Sequence, residues 1–180
     1  VIDACRRQAP ERLATKAGDE ADTIYAIDRV AEEALVRGLR RLPSGDSVCV
    51  IAEGLGAKEV DGHWRLLVDP IDGTRGLMYQ KRSAWILTGV ARNRGGATRL
   101  PDVELAVQTE IPLVKQHLCD QLWAMRGKGM HARRWNRLTR QHKRITLRRS
   151  AARTIEHGFA TIVRFFPGAR ISGIHGKAPQ

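Results

Sequence analysis

The chain has 180 residues, 42% of them hydrophobic, with a formal net charge of +12. That length and composition suit a soluble globular domain with a respectable core, and no apolar run approaches the roughly 20 residues a membrane helix needs. Residues 1–12 contain no signal-peptide core, and three cysteines without metal-ligand spacing leave one unpaired in any disulfide scheme, so reduced thiols and a cytoplasmic setting are expected.

In chain order, Thr23–Ala26 reads as a short extended piece. Asp28 is placed as the cap of a helix running to about Arg41, whose apolar face is Val30, Ala31, Ala34, Leu35, Gly38 and Leu39. Strands are expected at 48–52, 65–69, 85–91, 103–109 and 117–125, broken by Arg94-Gly95-Gly96 and Arg126-Gly127-Lys128-Gly129. A last helix is expected over 154–166, stopped by Pro167-Gly168, with a Gly-rich tail beyond it. The expected division is a metal-binding domain over 1–150 and the start of a second, truncated domain over 151–180.

Asp69-Pro70-Ile71-Asp72-Gly73-Thr74 carries the most chemistry. Its two carboxylates follow an aliphatic run that reads as a buried strand, and a strand end is a rigid mount for ligands. Hard divalent cations such as Mg²⁺ need only a few oxygen ligands, here the two aspartates with the Ile71 carbonyl. Glu53 ends the neighbouring apolar run Val48-Cys49-Val50-Ile51-Ala52, so two adjacent strands would bring Glu53 and Asp69 to one sheet edge. Gly73 allows close backbone approach, and a helix starting near Thr74 would offer N–H groups to an anion. The competing reading is a solvated turn, since Asp-Pro and Asp-Gly are ordinary turn formers.

The hexapeptide, with Asp22, Asp28 and Glu53 upstream, resembles the inositol monophosphatase family of Mg²⁺-dependent phosphatases, whose superfamily includes fructose-1,6-bisphosphatases and 3′(2′),5′-bisphosphate nucleotidases. Lys16 through Asp28, Ile51-Ala52-Glu53 and Leu122 through Gly129 resemble further family segments. The resemblance implies an α+β layered sugar-phosphatase fold, with helices on a largely antiparallel sheet. It implies metal bound by Glu53, Asp69, Asp72 and the Ile71 carbonyl, a nucleophilic water oriented by Thr74 and Asp28, and substrate phosphate cradled by Gly73 and Thr74. Small-phosphomonoester hydrolysis is the implied activity, with a homodimer allowed.

Two departures stand out. Gly54 replaces a second glutamate that many relatives carry, and nothing after Arg126 resembles the family's Trp-Asp-x-Ala-Ala-Gly metal segment; Glu156 is the one carboxylate side chain in that stretch. A truncated piece of a longer enzyme is the favoured explanation, a degenerate inactive relative the other. Arg75-Gly76-Leu77 is closer to the Lys-Gly-Phe of bisphosphate nucleotidases, which makes Arg75 a candidate second-phosphate contact against its reading as an exposed helix residue. The basic tract after Arg126, with Trp135 and His142 interleaved, admits a nucleic-acid-binding module. Scattered arginines in hairpins are ordinarily a solvated surface, so nucleic acid is not the expected main partner. The histidines lack acidic orienters and receive no role.

Overall fold

The computed structural model describes residues 1–8, 10–13, 25–42, 48–53, 56–58, 62–156 and 158. The expectations for Lys16, Asp22 and Gly54, and most of those for the helix over 154–166 and the tail, lie outside these residues. The chain divides into two compact units, Val1–Leu147 and Arg148–Gln180, and the first carries all the strands and helices described below.

Among the described residues eight strands make one sheet: β1 (Val48–Ala52), β2 (Gly56–Lys58), β3 (Trp64–Asp72), β4 (Ala84–Arg92), β5 (Val103–Ile111), β6 (Leu118–Met125), β7 (Gly129–Asn136) and β8 (Gln141–Arg144). The spatial order is β2-β1-β3-β4-β5-β6-β7-β8. All neighbours pair antiparallel except β1 and β3, which run parallel with Ala52 beside Val68. The largely antiparallel sheet with helices against it is thus the fold expected. Among the described residues no helix is long and apolar enough to cross a membrane.

Among the described residues four α-helices accompany the sheet: α1 (Ile2–Arg7), α2 (Pro10–Leu13), α3 (Ala26–Leu39) and α4 (Thr74–Met78). α3 packs on β3. Leu13, Ile27, Ala31, Ile71, Leu77, Met78, Ala84 and Ile111 form the main buried cluster. Its fully enclosed members, Ile27, Leu77 and Ala84 at 0% exposure, come from α3, α4 and β4, so burying apolar area locks these elements beside the end of β3. Cys49 is buried as well, and Cys5 and Cys119 are free thiols.

Several sequence expectations change. Asp28 is not the helix cap: Tyr25 is the N-cap, and Asp28, three residues inside, accepts the Tyr25 N–H through Oδ2 at 2.8 Å. Both positions satisfy an orphan donor, and sequence alone does not separate them. Ala34 and Gly38, assigned to the apolar face of α3, are exposed, and the buried stripe is Ile27 and Ala31. Thr23 and Ile24 are outside the described residues, Tyr25 forms a single bridge, and Ala26 already opens the helix. β3 runs on through Pro70 and Ile71 to Asp72, and β7 and β8 extend a sheet that the apolar pattern ended at Met125.

A candidate metal and phosphate site

A regular strand turns successive side chains to opposite faces, so Asp69 and Asp72, an odd number of residues apart, would look in opposite directions. β3 avoids this with a bulge. Asp69 pairs with Leu87 and Asp72 with Trp85, so three steps along β3 oppose two along β4. Leu87 and Trp85 share one face of β4, and their partners Asp69 and Asp72 are therefore brought to a common face. Pro70, which has no N–H to give a ladder, sits inside the bulge where none is required. The Ile71 N–H donates to Asp69 Oδ1 at 3.0 Å, which fixes that carboxylate against its own turn.

Glu53 reaches the same edge because β1 and β3 are parallel, so both strands end there. Its N–H donates to the Val68 carbonyl at 3.3 Å. Glu53 and Asp69 are joined by a side-chain hydrogen bond. Burial pushes the Asp69 pKa above its ordinary 3.8, and the charges of Asp72 and Asp28 push the same way, while bonds from Ile71 N–H and Glu53 oppose them. Four carboxylates therefore feel one another at this edge. Among the described residues no three His, Cys, Asp or Glu side chains stand close enough together to hold one ion between them. The donor set, all oxygen and carboxylate, fits a hard divalent cation.

Thr74 ties the site to α3. Its Oγ1 lies 3.0 Å from Asp28 Oδ1 and 2.9 Å from the Ile71 carbonyl oxygen. The hydroxyl has one proton for these two acceptors and keeps lone pairs for a further donor such as water. Asp28 is half-buried and its pKa is raised above 3.8, first by burial, against the Tyr25 N–H and the Thr74 hydroxyl that favour its charge.

Gly73 precedes α4 with φ +96° and ψ 28°, a left-handed conformation natural to glycine. Arg82, which follows the helix, lies across this turn: a Cβ built on Gly76 would meet its Cγ at 2.6 Å, and one on Gly73 would lie 3.7 Å from its Nη2. In the sequence Lys81 and Arg82 carry the same two alternatives as Arg75, a phosphate contact or an exposed residue. Arg75 is exposed and anchored, its Nε donating to Tyr25 Oη at 2.8 Å with the guanidinium 5.9 Å from that ring's centre. Tyr25 was missed altogether. A cavity of about 160 Å³ lies away from these groups, where Arg65, Leu67 and Leu100 help line it near the start of β3.

The family model described as the inositol monophosphatase family matches residues 1–157. No curated protein matches the chain by sequence. Among solved structures, holo fructose-1,6-bisphosphatase from Leishmania major superposes with a TM-score of 0.60 at 16% identity, covering 79% of this chain and 48% of that one. A hypothetical protein from Pyrococcus horikoshii with similarities to inositol-1 monophosphatase gives 0.54 at 18%, covering 73% and 44%. A calcium-bound protein of the same family from Staphylococcus aureus gives 0.51 at 19%, covering 72% and 44%. The chain thus spans less than half the length of these three structures, and at such identities the likeness is one of fold.

Proposed function

The chain belongs to the inositol monophosphatase family, and from that membership and the site geometry we infer that it supplies the metal-binding part of a phosphatase acting with Mg²⁺ on a small phosphomonoester. The observation that carries this reading is the Thr74 hydroxyl bridging Asp28 and the Ile71 carbonyl beside the paired carboxyls of Glu53 and Asp69.

Glu53, Asp69 and Asp72, with the Ile71 carbonyl, are the groups that would hold Mg²⁺. A divalent cation there supplies Lewis-acid stabilisation of charge developing on the phosphoryl group and makes water more acidic. The chain's own residues do the positioning. Thr74 Oγ1 accepts a hydrogen bond from the attacking water, and Asp28 fixes the hydroxyl. Its raised pKa makes Asp28 a stronger base than an ordinary exposed aspartate, which suits it to drawing a proton along this relay. Gly73 lets the phosphate approach the backbone, and Arg82 brings positive charge to the same turn. Most of the rate then comes from placement and electrostatics.

The bisphosphate-nucleotidase alternative rests on Arg75, whose engagement by Tyr25 favours the simpler phosphomonoester. The test is phosphate release by the whole protein with and without Mg²⁺. Wild type should release phosphate only with the cation, and Asp72→Asn should lower the rate by about 10²-fold or more, the scale for losing one main electrostatic group. Undiminished hydrolysis in Asp72→Asn refutes the assigned roles, and a wild-type protein inert with Mg²⁺ favours the inactive-relative reading.

A further inference from the structure

The positive charge of this chain is concentrated in one stretch of sequence. Between Gln121 and Ile155 there are eleven Lys/Arg and no Asp/Glu, whereas the remaining 20 basic and 19 acidic residues nearly cancel. The register of β6, β7 and β8 shows how the sheet displays part of that charge. Trp123 lies opposite His131, Gln121 opposite Arg133, and Cys119 opposite Trp135. Arg133 then faces Arg144, and Trp135 faces His142. Directly paired residues share a face, and so do residues two apart, so Trp123, His131, Arg133, Trp135, His142 and Arg144 all stand on one side of the three strands.

These six side chains form an ordered array. His131 stacks on Trp123 with ring centres 5.6 Å apart, and His142 lies 4.4 Å from Trp135. The Arg133 guanidinium sits between the two indoles, 5.5 Å from one centre and 5.9 Å from the other. Arg144 Nη2 lies 3.5 Å from His131 Nδ1. The indoles fix the cations rather than covering them with carboxylates. On the opposite side of the same strands, Arg134 is neutralised by two 2.7 Å bonds to Asp120. On this side the cross-strand row is Thr109, Gln121, Arg133 and Arg144, with two like charges directly opposed and no acid among them. Arg133 Nε is buried and has no hydrogen-bond partner among the described residues. The opposed charges cost stability in the unliganded protein, and an anion lying along the row would offset that cost.

We propose that this face of β6–β8 is a second binding surface, separate from the phosphatase site, that takes single-stranded nucleic acid through its phosphate backbone. A polymer of phosphates matches both the fixed guanidinium pair and the uncompensated charge of these strands. A strand is preferred to a duplex because the sheet presents a surface rather than a protruding element for a groove, and the planar groups of exposed His142 and Arg144 suit splayed bases.

The experiment measures binding of the whole protein to a short labelled single-stranded oligonucleotide by fluorescence anisotropy across a salt series. Each phosphate contact contributes about 0.7 to the slope of log affinity against log salt for single strands. Arg144→Gln should therefore lower the slope by about 0.7, and Arg133→Gln with Arg144→Gln by about 1.4. Arg37→Gln, at an exposed position of α3, should leave it unchanged. Should Arg133→Gln perturb folding, as seen in Tm, the exposed Arg144→Gln variant carries the test alone. An unchanged slope in Arg144→Gln overturns the proposal. So does an equal drop in Arg37→Gln, tighter binding of the matching duplex, or Arg144-dependent binding of anionic vesicles or inorganic phosphate without binding of the oligonucleotide.

Discussion

Replacing Thr74 with valine keeps the side chain's shape and β-branching while deleting the hydroxyl that reaches both Asp28 Oδ1 and the Ile71 carbonyl. Asp28 would keep its bond from the Tyr25 N–H but lose its link to the strand end. A hydrogen bond to a charged group is worth about 1.5–3 kcal/mol. If that is expressed in the transition state at 1.36 kcal/mol per decade, kcat/KM should fall about 10- to 150-fold. Phosphate release by the whole protein at saturating Mg²⁺, measured well below the Tm of each variant, gives this number. Asp28→Asn should cost a similar factor, and because the two groups act as one relay the double variant should be little worse than the poorer single one, a coupling of about 0.5–3 kcal/mol. Wild-type kcat/KM in Thr74→Val, or losses that simply multiply in the double variant, would refute the relay.

The raised carboxylates make a prediction about pH. Asp28 and Asp69 hold protons more tightly folded than unfolded, so their contribution to stability is fully present below 3.8 and is lost as pH rises through their folded pKa values. Calorimetry in the presence of a chelator should show wild type losing Tm relative to Asp69→Asn over that window, and a rising difference would contradict the electrostatics. Added Mg²⁺ should recover the loss at neutral pH by binding the ionised groups. Gly73→Ala meets only ordinary contacts, the nearest at 3.7 Å, so its cost comes from φ +96° alone, about 1–2 kcal/mol in urea unfolding. Unchanged stability there would mean that the turn relaxes to another conformation.

The strands rich in aliphatic residues were legible because burial leaves its mark as an apolar run: Val48–Ala52 matches to the residue, and β4, β5 and β6 differ only at their ends. β7 and β8 were not, since Arg, His and Trp replace aliphatics and the stabilising contacts are stacked rings across strands. Glu53 and Asp69 at one edge followed from two adjacent apolar runs ending in acids. The contact between Asp28 and Thr74 spans 46 residues, and no spacing encodes it; it came only with the family resemblance. Tyr25 escaped notice because its part is played by a backbone N–H and a phenol that serve other residues. The bulge was invisible for a related reason, since it is a mismatch in count between two strands and belongs to neither alone.

That mismatch sets a parity rule for how this gene tolerates changes of length. Removing a single codon between Asp69 and Asp72 would erase the surplus residue, restore strict alternation, and leave the two acids two positions apart on an unbroken pleat. They would still share a face, yet the proline and the Ile71 carbonyl could not both keep their places. Adding a codon would instead leave four steps to be matched on β4, shifting the Gly73 turn and everything it anchors. Drift in chain length is therefore tolerable in the connecting turns and closed to these few positions, where three steps against two is the only arithmetic that serves both the acids and the turn.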